Sequence, residues 1–188
     1  MAAAKALAAL GWDVVPACRS ARRLELAVAE ISSAAPDASV EVPAALCDLA
    51  DLRSVAAFGA ALRTRGRPVD ALLLNAGIDG APLERTVQGH ELHFATNHLG
   101  HFALWRSLQD LVRASEVGPR VVTVTSSAAV DAELDLSDLD WEKRDYSRRG
   151  AYTSSKACNV LFADELARRE LAAGNSVAVH AVDPGPSA

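Results

Sequence analysis

The chain has 188 residues, half of them hydrophobic and 23% charged, with a formal net charge of −5. That length suits one domain with a sizeable core and is short for two, the composition is that of a globular rather than a disordered chain, and the acidic balance argues against a nucleic-acid surface. Three cysteines, Cys18, Cys47 and Cys158, lack paired spacing and form an odd set, which indicates neither a zinc site nor a disulfide framework and makes a reducing, intracellular and cytoplasmic setting the default.

Residues 2–10 carry a helical period and Gly11 follows as a stop; residues 13–18 read as a strand, and 21–35 return to helical period before Pro36. A further strand is expected over 40–46 and a helix over 51–65. Residues 69–74 form an uninterrupted apolar run, the pattern of a strand buried on both faces. Helical segments around 85–115 lead to a β-branched strand at 120–125. An irregular stretch at 131–150, acidic and then basic, has Trp141 and Tyr146 to anchor it; a helix over 152–173 and a strand over 176–182 close the series. No apolar run approaches the roughly 20 residues that cross a bilayer. Strands alternating with helical crossovers predict a doubly wound, mostly parallel α/β sheet, and the whole of 1–188 reads as one such domain.

Within the last helix, Tyr152 and Lys156 stand at i and i+4, which places them on one helical face. Free phenol, with a pKa of about 10, is a poor proton donor at neutral pH, and a neighbouring cation favours its ionised form. The pair is therefore a candidate acid–base couple. His90, His93, His98 and His101 also recur at helical spacing, but the carboxylates and open geometry of a metal site are not evident around them, and no metal is expected.

With Tyr152 and Lys156 beginning a helix after the 120–125 strand, the chain resembles the short-chain dehydrogenase/reductase family. Asn75-Ala76-Gly77 is similar to the family's Asn-Ala-Gly, and the segment Asn97 to Phe102 to that carrying its catalytic asparagine. Val122 to Ser127 is similar to its serine strand, and Pro184-Gly185 to the turn beside its nicotinamide. The long stretch between Ser126 and Tyr152, with Asn97-His-Leu-Gly-His-Phe102, resembles the branch holding retinol dehydrogenases, WW-domain oxidoreductases and light-dependent protochlorophyllide reductases. The resemblance implies a Rossmann-like fold and a catalytic set of Asn97, Ser126, Tyr152 and Lys156, with Ser127 the alternative hydroxyl. Tyr152 would donate the proton, Ser126 hydrogen-bond the same oxygen, Lys156 bind the nicotinamide ribose, and Asn97 hold a water relaying protons to the lysine.

For the cofactor, the resemblance implies contacts from Arg19, Asp48, Asn75, Ala76, Gly77, Tyr152, Lys156, Pro184 and Gly185. A carboxylate after the second family strand would accept from a ribose 2′-hydroxyl, whereas Arg19 in that place, with Arg23 nearby, suits a 2′-phosphate; NADP(H) is therefore expected rather than NAD(H). A blander alternative reads Arg19, Arg22 and Arg23 as a solvated helix start. The family's first strand and glycine-rich phosphate loop have no counterpart, so the domain reads as incomplete at both ends, these residues alone are expected to bind NADPH weakly, and the facing edges of 13–18 and 69–74 should want for a partner. Pro16 is a further departure from the pattern, since proline inside a strand removes a ladder donor. The expected substrate is a small apolar carbonyl or alcohol, and the 85–115 and 152–173 helices resemble those that form family dimers, which allows a homodimer. Alternatives are a non-catalytic remnant or interaction protein, and light-dependent reduction of a tetrapyrrole double bond.

Overall fold

Three aliphatic runs pair edge to edge in parallel: β1 (Ala71–Leu74), β2 (Arg120–Val124) and β3 (Ala178–Val182), with β2 in the middle. Ala71 lies opposite Arg120, and Arg120 opposite Ala178. Parallel neighbours need long crossovers, and helices supply both, α5 (Gly100–Arg113) before β2 and α6 (Arg148–Ala172) after it. The architecture is α/β, as the alternation in the sequence predicts. The computed structural model describes residues 1–185; among them no helix is long and apolar enough to cross a membrane.

Ahead of the sheet come α1 (Ala2–Ala9), α2 (Ala21–Ala34) and α3 (Leu52–Arg65), and a short α4 (Leu92–Phe94) runs through a π-helical turn, Ala95–Leu99, into α5. The main core joins Val55, Phe58 and Leu62 of α3 to Leu104, Leu108 and Val112 of α5 and to Leu72, Leu74 and Val121 of the sheet. Each such side chain contributes about 1.5–3 kcal/mol on burial. Helices α3 and α5 approach closely at Gly59, where a Cβ would lie 1.8 Å from Ser107 Oγ, and Arg63 Nη1 donates to that hydroxyl and to the Ser107 carbonyl at 2.6 Å each. A smaller cluster of Ala8, Ile31 and Ala35, with Val14 and Val40, holds α1 against α2.

The strands expected over 13–18 and 40–46 do not form a ladder. They meet at one parallel bridge, Val14 to Val40, and at a hydrogen bond from Cys47 N–H to the Cys18 carbonyl at 2.9 Å. Pro16 and Pro43 explain the shortfall, because neither has an N–H to donate and each interrupts its own side of the pairing. Among the described residues β1 has a strand partner only on its β2 side, and a groove separates its other edge from residues 13–18. This agrees with the expected lack of a partner for those two edges.

Two helix boundaries also move. The helical stretch expected from 85 begins only at Leu92, since Arg85 and Glu91 form an antiparallel bridge around a turn in which Gly89 has φ +90°. The helix expected from 152 begins at Arg148, because Ser147 Oγ accepts the Gly150 N–H at 3.1 Å and caps it early. Between β2 and α6, a 3₁₀ turn at Ser127–Asp131 precedes an irregular segment whose anchors are the expected ones. Trp141 packs edge-on against Tyr146 at 5.5 Å and lies beneath the Arg144 guanidinium at 3.9 Å.

Candidate active site

All three strands point their carboxyl ends the same way, and the sequence-predicted site residues cluster there. Asn75-Ala76-Gly77 follows β1, Thr125 and Ser126 follow β2, and Pro184 and Gly185 follow β3. In open parallel sheets this is the side on which ligands bind. The ends of β2 and β3 are tied together by Thr125 N–H to the Val182 carbonyl at 2.9 Å and Ser127 N–H to Asp183 Oδ2 at 2.8 Å.

Helix α6 lies across this end and carries Tyr152 and Lys156 on adjacent turns. Lys156 is 4% exposed, and its Nζ sits 5.7 Å from the Tyr152 ring centroid while donating to the Val124 carbonyl at 3.1 Å. Burial pushes the Lys156 ammonium below the ordinary amine range, with the Asp79 carboxylate opposing. Thr125 Oγ1 donates to the Lys156 carbonyl at 3.0 Å, so the strand end and this turn of α6 move as one. Ser126 is half-buried, and its Oγ accepts the Ala128 N–H at 3.3 Å. Among the described residues no hydrogen bond joins Ser126 to Tyr152; the contact between their elements is the packing of α6 on the 3₁₀ turn that Ser126 caps.

Asn97 lies fully buried in the π-helical turn. Its Oδ1 accepts the Ile78 N–H at 2.8 Å, and its Nδ2 donates to the Ile78 carbonyl at 3.0 Å and to Ser155 Oγ at 2.9 Å. Ser155 in turn donates to the Tyr152 carbonyl at 2.7 Å, which links the loop after β1, the π turn and α6 in one chain of bonds. Gly77 makes the approach possible: a Cβ there would lie 3.3 Å from Asn97 Oδ1 and 3.4 Å from Lys156 Nζ.

From Gly77 a groove of about 950 Å³ runs back along the open edge of β1, lined by Arg19, Arg23, Asp48, Asn75 and Ala76 as well as by Cys18 and Cys47. Burial pushes the Cys47 thiol up to about 12, with Asp48 adding to the effect. Asp48 is fixed by its own turn, its Oδ1 accepting from Ala50 N–H at 3.0 Å and its N–H donating to Ser54 Oγ at 2.9 Å. The structure thus gathers Arg19, Asp48 and residues 75–77 on one surface, with Lys156 near its Gly77 end. Pro184 and Gly185 are exposed beyond β3 and do not line this groove.

The four histidines do not converge. His90 Nδ1 meets Asp140 at 3.1 Å, His93 Nδ1 meets Glu91 at 2.9 Å, His98 Nδ1 meets Asn159 at 3.1 Å, and His101 Nδ1 donates to the Asn97 carbonyl at 2.9 Å. Residues to which sequence reasoning gave no role in this site do the supporting work here: Ser155, Asn159, Glu91 and His93. Only their proximity in sequence to Asn97 and Lys156 hinted at them.

His101 gives the site a pH-dependent weakness. Burial, with some help from Lys156 and His98, drives its pKa from 6.5 to about 4, against the pull of the Asn97 carbonyl. Between those values the unfolded chain binds a proton that the folded chain refuses, so stability falls as pH drops from about 6.5 toward about 4 and is unaffected above that range. The loss is on the order of 3 kcal/mol at most. Thermal midpoints measured from pH 7.5 to 4.5 should fall less steeply in His101→Asn, which keeps a donor for the Asn97 carbonyl without a titrating ring; equal slopes would show that other groups carry the acid sensitivity.

A model of the family described as short chain dehydrogenase matches residues 1–139. The chain is 37% identical over 179 residues to human Retinol dehydrogenase 13, covering 95% of this chain and 53% of that protein. It is 40% identical over 188 residues to human WW domain-containing oxidoreductase, covering 97% and 44%. It also aligns with the crystal structure of a protein from Mycobacterium paratuberculosis at a TM-score of 0.83 and 39% identity, covering 99% of this chain and 63% of that one. The chain therefore spans about half the length of the curated relatives it matches.

Proposed function

The chain belongs to the short-chain dehydrogenase family, and from that premise we propose that it interconverts a carbonyl and an alcohol on an apolar small molecule, using NADP(H). The observation that carries this reading is the arrangement on α6: a phenol and a buried ammonium on adjacent turns, 5.7 Å from ring centroid to Nζ, next to Gly77 at the end of the groove. The groove residues fit a phosphorylated dinucleotide. Arg19 and Arg23 line the groove with guanidinium groups of the kind that pair with a 2′-phosphate, Asp48 lines it too, and Gly77 at its end carries no side chain.

When bound, the cofactor supplies the hydride that adds to the carbonyl carbon. The chain's own residues handle the oxygen. As the carbonyl electron pair moves onto oxygen, Tyr152 gives it the phenolic proton and Ser126 Oγ donates a hydrogen bond to it once turned from Ala128. Lys156, next to the ring, stabilises the phenolate that remains. Asn97 holds the 78 backbone and Ser155 in place, and through them the turn that presents Tyr152. The names of the retinol dehydrogenase relatives favour an extended apolar aldehyde or alcohol as substrate.

The test is a reduction assay of the intact protein with retinaldehyde and a long-chain aliphatic aldehyde, comparing NADPH with NADH. Turnover with NADPH supports the reading; turnover with NADH alone would overturn the cofactor assignment. Arg19→Ala is expected to weaken NADPH binding by roughly 10- to 100-fold, the loss of one charge-assisted contact worth about 1.5–3 kcal/mol, with NADH affinity unchanged. Fluorescence titration reads both.

A further inference from the structure

Beneath Tyr152 lies a buried polar cluster that the reaction just described does not use. Glu91 and His93 are both 0% exposed. Glu91 Oε1 is 2.9 Å from His93 Nδ1, and Oε2 accepts the Phe94 N–H at 2.7 Å. His93 Nε2 accepts the Ala81 N–H at 3.3 Å, so that nitrogen carries a lone pair and the ring proton sits on Nδ1, donated to the carboxylate. Tyr146 closes the cluster from the irregular segment, its hydroxyl 3.1 Å from Glu91 Oε1, 3.1 Å from the Ala81 carbonyl and 3.2 Å from His93 Nδ1. The His93 ring stands edge-on to Tyr152, 6.5 Å between centroids at 76°.

A helix cap explains Glu91 alone, through Phe94. It does not explain a histidine with both nitrogens engaged, nor a tyrosine reaching in from another element. Burying Glu91 and His93 and half-burying Tyr146 costs free energy unless each is paired, and a satisfied network of this kind rigidifies what it joins. Its hydrogen bonds join the turn at 78–81, the start of α4 and the segment ending in Tyr146, and the edge of the His93 ring carries it to Tyr152 on α6. Asp140 adds a fifth tie by accepting the Glu91 N–H at 2.9 Å. Trp141, at φ +54° and seated against Gly150, holds the segment to the base of α6. The charge state suits the arrangement: burial pushes the Glu91 carboxyl up, but bonds from His93 and the Phe94 N–H outweigh it and leave it below its ordinary range. Burial and the Glu91 charge push the Tyr146 phenol up, so it stays a donor.

We propose that Glu91, His93 and Tyr146 form a positioning platform for Tyr152, with His93 setting the ring's orientation and holding the 78–81 turn against it. The proposal rests on Tyr152 as the proton donor. His93 is a positioning residue because it touches the phenol ring, not the reacting atoms.

The test compares His93→Phe, Tyr146→Phe and the conservative His93→Gln, whose side-chain oxygen reaches toward the Ala81 N–H. In His93→Phe, the Ala81 amide should exchange with solvent at least about tenfold faster, since its acceptor is gone. In both phenylalanine variants kcat for aldehyde reduction should fall roughly 10- to 100-fold, the cost of displacing a catalytic group by the order of 1 Å, with KM for NADPH within about twofold. His93→Gln should recover most of that loss. Tyr146→Phe removes one oxygen atom and keeps the fold even where His93→Phe does not. Wild-type kcat in both phenylalanine variants would overturn the platform while leaving the chemistry of Tyr152 intact, provided Tyr152→Phe is inactive. Loss of kcat that tracks the fall in thermal midpoint, with no rescue by glutamine, would overturn it too. A wild-type protein with no reductase activity would remove both the platform's purpose and the reading it rests on.

Discussion

Tyr152→Phe is expected to lower aldehyde reduction by about 10²- to 10⁴-fold, the usual contribution of a positioned proton donor, and to leave NADPH affinity within about twofold. The ring remains, so its edge contact with His93 and its place above Lys156 persist; only the hydroxyl is removed. Steady-state kcat falls with KM for the cofactor unchanged, the signature of an interaction made as the proton moves. Lys156→Met should differ, because Nζ also holds the Val124 carbonyl at the end of β2. Its loss removes the shorter of two donors to that carbonyl, leaving Asn159 Nδ2 at 3.3 Å, and reduces stability as well as turnover. Unchanged turnover in Tyr152→Phe would refute the assignment of the proton donor outright.

That the phenol and the amine share a helical face was legible from their spacing, and so were α2, α3, β1 and β2, whose apolar residues repeat at the period their structure demands. The two extended runs at 13–18 and 40–46 were misread for a physical reason. An apolar pattern records which side chains leave water; it does not record which N–H groups find a partner, and Pro16 and Pro43 have none to offer. Asn97 shows a second limit. The π-helical turn at Ala95–Leu99 inserts an extra residue per turn, rotating the faces that follow it, and a 3.6-residue period cannot register that shift. Its engagement with Ile78 and Ser155 depends on this rotation. Glu91 and His93 are two residues apart, but Tyr146 stands more than 50 residues away, so the group was illegible: nothing in the sequence marks which distant side chain will close on that pair. The early start of α6 turned on one serine hydroxyl, Ser147, which the pattern of apolar residues does not weigh.

Gly100→Ala should be the most damaging single-methyl change in the molecule. Gly100 is buried at the first position of α5, and a Cβ there would lie 2.3 Å from the Leu49 carbonyl oxygen, 2.9 Å from Leu49 Cβ and 3.0 Å from its carbonyl carbon. Gly59→Ala meets shorter contacts, 1.8 Å to Ser107 Oγ and 2.7 Å to Ser107 Cβ, but both are side-chain atoms; the hydroxyl can rotate, the Cβ cannot, and removing both in a Gly59→Ala/Ser107→Gly pair should recover part of the loss. No side-chain truncation relieves Gly100, because the carbonyl belongs to the backbone. Either α5 or the 47–50 segment has to move, at a cost of about 1–3 kcal/mol or more. With roughly 2–4 °C per kcal/mol in a chain of this size, the thermal midpoint should drop by about 2–12 °C. The displacement has a functional echo. Leu49 follows Asp48, whose carboxylate is set by the turn through Ala50 N–H, so a shift of that backbone moves a wall of the groove. Cofactor affinity should therefore fall together with stability in Gly100→Ala, whereas Gly59→Ala, remote from Asp48, should lose stability alone. A Gly100→Ala protein with a wild-type thermal midpoint would mean that α5 and the 47–50 backbone are not held at this separation in solution.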